Sequence, residues 1–168
     1  ELTKKKVKII FCDEQHNPYS ELLPYYGSHD TSSKIKKQIV WRHNIKELVW
    51  MEIVAEKIRK QSEHLQENGY TAQAAMLAQY IQEIEPLDVT NREGHAAKVY
   101  FNALFGMEFT RSAENSINSA LNYGYGILLS CFNREIVANG YITQLGLFHD
   151  NMFNQFNLTS LDKGTQPF

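Results

Sequence analysis

The stretch NREGHAAKVYFNALFG, residues 91–106, predicts a helix that begins near Asn91 and ends at Gly106. Residues three or four positions apart lie on one face of a helix. Four residues with this spacing form a mostly apolar stripe: Glu93, Ala97, Tyr100 and Leu104. A carboxylate buried among apolar side chains needs a charged partner or a metal ion, or must be protonated. Glu93 is therefore the first candidate for a functional residue.

Helical patterns continue upstream of this stretch. Five residues at helical spacing form one stripe in a predicted helix that Gly69 ends: Trp41, Ile45, Leu48, Ala55 and Ile58. A further helix, rich in Ala, Gln and Leu, is expected from Thr71 to about Glu85, because Pro86 follows it. The chain is therefore expected to be helical from about residue 34 onward.

Two more helices are expected downstream. The first is long, ends at Asn139-Gly140 and carries one shared face: Ile117, Leu121, Gly124, Leu128 and Cys131. The last helix covers about residues 143–156. Its apolar face contains Leu145, His149, Met152, Phe153 and Phe156. A neutral imidazole is a good metal ligand, so His149 is the second candidate.

The apolar run at residues 7–12 is rich in β-branched residues and stops at Asp13-Glu14, which predicts a buried strand. A strand needs partners for its backbone groups, so residues 1–14 are expected to be the end of an N-terminal β domain. Residues 15–33 contain two prolines, a glycine and a polar run, and predict a linker that ends in a helix N-cap. The predicted fold class is mainly α, with a remnant strand of a β domain before a helical domain at 34–168.

The composition is that of a globular protein. Hydrophobic residues make up 43% of the 168 residues and charged residues 21%, so a packed core is expected. No apolar run approaches the roughly 20 residues that cross a bilayer, and the run near the N-terminus is too short for a signal peptide. We therefore expect a soluble, cytoplasmic protein with no membrane partner. Cys12 and Cys131 lack metal-ligand spacing and are expected to be buried free thiols.

Charge is unevenly distributed along the chain. The net charge of −2 argues against a general DNA-binding protein, yet residues 1–60 hold twelve Lys or Arg against eight Asp or Glu. Between residues 34 and 60 lies a basic segment, formed by Lys34, Lys36, Lys37, Arg42, Lys46, Lys57, Arg59 and Lys60. Such a segment forms a solvated helix face more often than a nucleic-acid-binding surface, and both interpretations stay open.

Glu93 and His149 would hold one divalent ion if their two apolar stripes met inside a helical bundle. Each residue also has a simpler interpretation. A glutamate at the start of a helix is usually solvated and interacts with the helix dipole, and a histidine on an apolar face is usually a hydrogen-bonded core residue. No other motif competes: His95 points about 200° away from Glu93 on a helix, and HExxH, P-loop, GxGxxG and GxSxG motifs do not occur.

Several stretches, taken in this order, resemble the CRISPR-associated adaptation integrase family, most closely its type II-A variety. Residues 91–102 resemble the signature helix of that family, residues 117–125 resemble its second motif, and residues 143–149 with 154–158 resemble its third. Residues 9–13 resemble the end of the family's N-terminal β domain. The resemblance covers nearly the whole chain and implies that 34–168 is the helical catalytic domain.

The resemblance implies a divalent ion, Mg²⁺ or Mn²⁺, bound by Glu93, His149 and a third carboxylate. In the family this carboxylate lies in an Asp-x-x-Glu-Pro-Phe segment soon after the third motif. Here residues 161–168 read LDKGTQPF, in which Asp162 is acidic but has the wrong spacing. Residues are therefore expected to be missing directly after Ser160.

The implied reaction is a metal-assisted transesterification on double-stranded DNA, in which the 3′-hydroxyl of a captured fragment, the prespacer, is joined to the edge of a CRISPR repeat. The resemblance also implies a homodimer that works with a small adaptation partner protein. Arg92 and Lys98, with the basic segment, are candidates for phosphate contacts. Asn118 and Tyr123 are candidates for supporting the metal ligands or contacting DNA, and helix packing is an equal alternative for each.

Other functions remain open. A structure-specific, metal-dependent nuclease would cut branched DNA and give hydrolysis products without strand transfer. A non-catalytic helical scaffold would bind DNA or protein, and replacing Glu93 and His149 would leave its activity unchanged. An inactive chain derived from an active parent is a third alternative, because the third carboxylate is not in its expected place.

Overall fold

The computed structural model describes residues 1–2, 4–5, 7, 9–14, 18–22, 28–148, 152 and 154–158. In chain order, their elements are β1 (Ile10–Cys12), β2 (Pro18–Glu21), α1 (Thr31–Ile39), α2 (His43–Glu67), α3 (Thr71–Gln82), a short 3₁₀ turn (Pro86–Asp88), α4 (Arg92–Phe105) and α5 (Ser116–Ala138). The mainly helical class predicted from the sequence is confirmed. Within the described ranges, no helix has both the length and the apolar character needed to cross a membrane.

The chain divides into two compact units. The central unit, Arg42–Ala113, is continuous in sequence and contains α2, α3, the 3₁₀ turn and α4. The terminal unit combines Glu1–Trp41 with Glu114–Phe168 and contains β1, β2, α1 and α5. The division therefore runs through the segment 34–168, for which the sequence predicts one helical domain.

The core of the central unit is built on one face of α2. The most buried residues of α2, each at most 3% exposed, are Trp50, Val54, Ile58 and Leu65. Their spacing places them on one helical face, and α2 packs against α3 and α4. Ala74 and Leu77 of α3 and Ala96 of α4 complete this core. Burying a large aliphatic side chain in this way stabilises the fold by roughly 1.5–3 kcal/mol.

The stripe predicted for this region is wrong in its first half. Ile45 and Leu48 are 48% and 61% exposed, whereas Ile58 is fully buried. The expected single helix is interrupted at residues 40–42, where Arg42 has an extended backbone (φ −67°, ψ 141°), and α2 starts afresh after it. No proline or glycine marks this interruption in the sequence, so periodicity alone could not place it.

Several predicted helix ends are confirmed. Gly69 lies just beyond α2 with a φ of 84°, and Gly106 follows α4 with a φ of 96°. This left-handed region favours glycine over every other residue. α5 likewise ends directly before Asn139-Gly140. α3 ends at Gln82, about three residues earlier than expected.

The N-terminal strand does not form part of a buried sheet. β1 and β2 pair antiparallel, with Ile10 opposite Glu21 and Phe11 opposite Ser20. The partner strand comes from residues 18–21, inside the segment for which a linker is expected. Phe11 is 54% exposed and Cys12 is exposed as well, because a two-stranded sheet covers little of either face. Cys12 and Cys131 are free thiols, as predicted, but both are exposed, so their expected burial is wrong.

α5 uses polar residues for its contact with β2. The side chain of Asn115 caps the helix by accepting a hydrogen bond from the N–H of Asn118 at 2.8 Å. Glu21 of β2 accepts hydrogen bonds from the side chains of Ser130 and Asn133. The face expected to be apolar is exposed at Ile117, Leu128 and Cys131. Polar hydrogen bonds therefore link α5 to β2, and the apolar stripe did not predict them.

The last predicted helix is wrong where the structure describes it. Residues 143–148 form turns and bends, and Met152 is 87% exposed. The N–H of Leu158 donates to the carbonyl of Thr143 at 2.8 Å, which brings these two residues together. In a helix, the carbonyl of Thr143 would instead accept the N–H of the residue four positions later.

Gln38 of α1 provides the competing hydrogen bonds. Its side chain is 1% exposed. Its Nε2 donates to the carbonyls of Ile142 at 2.8 Å and Leu145 at 3.2 Å, and its Oε1 accepts the N–H of Ile142 at 3.0 Å. A buried amide requires such partners, and the backbone of this segment supplies them instead of forming a helix.

Candidate metal-binding site around Glu93

Glu93 lies in the first turn of α4 and is buried. The helix begins at Arg92, and Glu93 is only 6% exposed. Ala96, three residues later on the same helix, is fully buried. The alternative interpretation, a solvated glutamate at a helix start, is wrong for this residue. The carboxylate sits in a place where an unpaired charge would be costly.

Lys57 of α2 supplies a positive charge to this carboxylate. Its Nζ lies 2.6 Å from Oε1 of Glu93, and the two side chains are 25% and 7% exposed. A buried charge of this kind is tolerated when it is paired and hydrogen-bonded. Lys57 belongs to the basic segment, and its pairing with α4 could not be predicted because the two residues are 36 positions apart.

Asp88 holds the backbone from which Glu93 projects. The residue is 1% exposed. Its Oδ1 accepts the N–H of Arg92 at 2.7 Å, and its Oδ2 accepts the N–H of Glu93 at 3.0 Å. The first N–H groups of a helix have no partner inside the helix, so an acidic side chain here completes its N-terminus. Sequence reasoning missed Asp88, although an Asp shortly before a predicted helix start is a capping signal.

Arg92 is bound within the central unit. Its Nη2 lies 3.0 Å from Oε2 of Glu83, and its guanidinium stands 5.2 Å from the centre of the Tyr80 ring. Both partners lie at the end of α3, so Arg92 links α3 to α4. Lys98, the other phosphate candidate on this helix, is exposed. The position of Lys98 is compatible with a phosphate contact, and that role stays a prediction for both residues.

Asn118 and Tyr123 lie on α5 in the terminal unit. Asn118 is 3% exposed and takes part in the N-terminal cap of the helix, which fits a packing role. Tyr123 is 44% exposed, which leaves its ring accessible. Their predicted roles near the metal or DNA remain predictions. His149 and Asp162 lie outside the described residues, and the pairing of Glu93 with His149 stays a prediction as well.

Glu93 fits a divalent cation as one ligand. Its oxygens are donors of the type that Mg²⁺ and Mn²⁺ prefer, and Oε1 already faces the Lys57 ammonium. Both oxygens of Asp88 accept backbone N–H groups, which hold its side chain against the start of the helix. The described residues contain no group of three His, Cys, Asp or Glu that could hold a metal ion. A complete site would need ligands beyond them, and His149 is the predicted one.

Comparison with known proteins agrees with the family resemblance seen in the sequence. The family model described as "CRISPR associated protein Cas1" matches residues 1–162. A curated relative, the CRISPR-associated endonuclease Cas1 of Neisseria meningitidis serogroup C (strain 8013), is 37% identical over 157 residues. The matched region is 94% of this chain and 52% of the relative, so the chain spans about half the length of the protein it matches.

Proposed function

This chain belongs to the Cas1 family, and on that premise we propose that it forms the part of a metal-dependent DNA integrase in which Glu93 holds the catalytic ion. The observation that carries the proposal is the buried carboxylate of Glu93, 6% exposed, in the helix that resembles the family's signature. A buried carboxylate requires a cationic partner; Lys57 is one such partner, and the metal ion is proposed as a second. His149 is proposed as a second ligand of the same ion.

The proposed reaction is a transesterification in which a DNA 3′-hydroxyl attacks a phosphodiester. One phosphodiester bond forms as another breaks, and the leaving 3′-oxygen takes up a proton. Bound Mg²⁺ or Mn²⁺ would polarise the phosphate and stabilise charge on the attacking and leaving oxygens. Glu93 would anchor the ion and neutralise part of its charge, while Lys57, 2.6 Å from Oε1, pairs with the carboxylate and orients it.

The proposed substrates are double-stranded prespacer DNA and a CRISPR repeat, in a system of the type II-A variety. Exposed Lys98 and the accessible part of the basic segment are suited to phosphate contacts, whose strength falls as salt rises. We extend the proposal to a cytoplasmic homodimer that works with a small adaptation partner protein.

A structure-specific nuclease is the second candidate, because the matched relative is named an endonuclease. Such an enzyme would use the same ion with water in place of the 3′-hydroxyl. The two candidates differ in their products: an integrase joins a labelled donor strand to the target, whereas a nuclease only shortens the target.

An integration assay on supercoiled plasmid tests the proposal. Wild type, Glu93→Ala and Glu85→Ala are compared with a labelled 3′-hydroxyl donor in Mg²⁺ and in Mn²⁺. Glu85 is an exposed acid close to the same turn and serves as the matched control. We expect Glu93→Ala to lose at least a hundredfold of the joined product, and Glu85→Ala to match wild type. Equal product from all three proteins would refute a catalytic role for Glu93, as expected of a non-catalytic scaffold.

A further inference from the structure

The turn that leads into α4 has an unusual backbone. Three of its residues have positive φ values: Leu87 (61°), Asp88 (50°) and Asn91 (53°). Residues other than glycine rarely adopt this conformation, and surrounding contacts must hold it. The turn lies directly before Glu93 in sequence, so whatever holds the turn also affects the start of the helix.

Asp88 makes the contacts that hold the turn to the helix. Its side chain is buried, and its two oxygens accept the N–H groups of Arg92 and Glu93 at 2.7 and 3.0 Å. Two hydrogen bonds to consecutive residues fix both the position and the direction of the first helical turn. The fit is close: a Cβ added at Gly94 would lie 2.6 Å from the side chain of Asn91, so the turn leaves no room beside the helix there.

We propose that Asp88 is a positioning residue for Glu93. By fixing the backbone N–H of Glu93, Asp88 sets the point from which that carboxylate reaches Lys57 and the metal ion. The proposal rests on the proposed function, in which Glu93 is a metal ligand. The role proposed for Asp88 is separate from metal coordination, since it acts through the backbone N–H groups that its oxygens accept. Groups that orient a metal ligand typically change metal affinity by 10- to 100-fold when they are replaced.

Titration of the full chain with Mn²⁺ alone, followed by calorimetry or by the electron paramagnetic resonance signal of the free ion, tests the proposal. Asp88→Asn keeps the shape of the side chain and one acceptor oxygen, but its amide group faces the second N–H. We expect Mn²⁺ binding about tenfold weaker than in wild type. Glu85→Gln removes the same charge from an exposed side chain close to the turn and should bind Mn²⁺ like wild type.

A double variant separates positioning from a general loss of structure. If Asp88 acts through Glu93, the pair Asp88→Asn with Glu93→Gln should bind Mn²⁺ no more weakly than Glu93→Gln alone. Circular dichroism at the titration temperature confirms that each variant is folded. Should Asp88→Asn not fold, Asp88→Ser, which retains one short acceptor, takes its place. Equal Mn²⁺ affinity of Asp88→Asn and Glu85→Gln overturns the positioning role.

Failure of the proposed function gives a different result. In that case wild type and Glu93→Gln bind Mn²⁺ equally, and positioning is measured on the Lys57–Glu93 pair instead. The change in urea midpoint caused by Lys57→Met should depend on whether position 93 is Glu or Gln. This dependence should disappear in the Asp88→Asn background, because the carboxylate no longer meets Lys57. A dependence that survives there overturns the proposal.

Discussion

The ion pair between Lys57 and Glu93 joins α2 to α4 where little water reaches. Its partners are 2.6 Å apart and the carboxylate is almost fully covered. Removing one member of a buried pair leaves the other uncompensated, which typically costs about 3–5 kcal/mol. The same carboxylate therefore contributes to stability through Lys57 and, on the proposed function, to chemistry through a metal ion. The effect of replacing Glu93 should therefore be measured both on the free energy of unfolding and on activity.

At the start of α1, Asp30 is held in its ionised form by its neighbours. The hydroxyl of Ser28 donates to its Oδ1, and the Nζ of Lys34 lies 3.0 Å from the same oxygen. These hydrogen bonds, with that of Ser28 first, lower the pKa of Asp30 from 3.8 to about 2. Because the pKa of this carboxyl is lower in the folded state, the free energy of unfolding depends on pH.

We predict that this contribution to stability is present above pH 4 and is lost as the pH falls toward 2. A pKa lowered by folding stabilises the folded state above the unfolded-state pKa, and protonation at the folded-state value removes that contribution. The urea midpoints of wild type and Asp30→Asn should differ at pH 6 and converge near pH 2. Glu114→Gln, an exposed change in the same unit, should show no such convergence. A constant gap at all pH values would contradict the prediction.

The need of Glu93 for a partner was predictable from sequence, but the partner was not. Helical spacing within one segment placed the carboxylate on the buried face, and the cost of burying a charge demanded compensation. That argument contains no information about Lys57, which approaches from another helix. Asp88 was missed although an Asp before a helix start is a capping signal. The sequence does not show the positive φ values at Leu87 and Asp88, which belong to the turn that leads into the helix.

Among the helices, α2 allows a direct comparison of two apolar residues that the sequence placed on the same stripe. Ile58 is fully buried in the central unit, whereas Leu48 is 61% exposed. We predict that Ile58→Ala lowers the free energy of unfolding by roughly 2–5 kcal/mol, and that Leu48→Ala changes it by less than about 0.5 kcal/mol. Chemical denaturation of both variants measures this difference. Similar losses would place the two residues in one core.

Helix ends were easier to predict than helix faces. Gly69 and Gly106 mark ends because their backbone conformation is disfavoured for other residues, and this is a local property. Which face is buried depends on the elements that pack against it, as the exposed Leu128 of α5 shows. The helix predicted at 143–148 was wrong for the same reason. The buried amide of Gln38, which is distant in sequence, forms hydrogen bonds with backbone groups of this region.

At the scale of the whole molecule, the basic segment has fewer unpaired positive charges than its composition indicates. Half of its eight residues form ion pairs: Lys34 with Asp30, Lys57 with Glu93, Arg59 with Glu56, and Lys60 with Glu63. Paired cations contribute less to the attraction of phosphates, since their charge is already offset. The uneven charge was visible in the sequence, and so were the three pairs whose partners lie three or four positions apart. The pairing of Lys57 with Glu93, 36 positions away, was not.

We predict that Lys36 and Lys37, which are exposed on α1, contribute to DNA binding if the proposed function holds. The double variant Lys36→Gln with Lys37→Gln should reduce the slope of log affinity against log salt by about 2, one for each lost phosphate contact. Fluorescence anisotropy with a labelled duplex at several salt concentrations measures the slope. Lys60→Gln, which removes a cation 2.8 Å from Glu63, is the control and should leave the slope nearly unchanged. An unaltered slope in the double variant would exclude these lysines from the interface.

The hydrogen bonds between Gln38 and Ile142 have a consequence for how the chain is made. These residues are 104 positions apart, and a ribosome that adds about 5–20 residues per second needs roughly 5–20 s to cover that distance. The central unit is complete in sequence well before then, and small helical units fold within milliseconds. Gln38 therefore cannot form these hydrogen bonds until after the central unit has had time to fold.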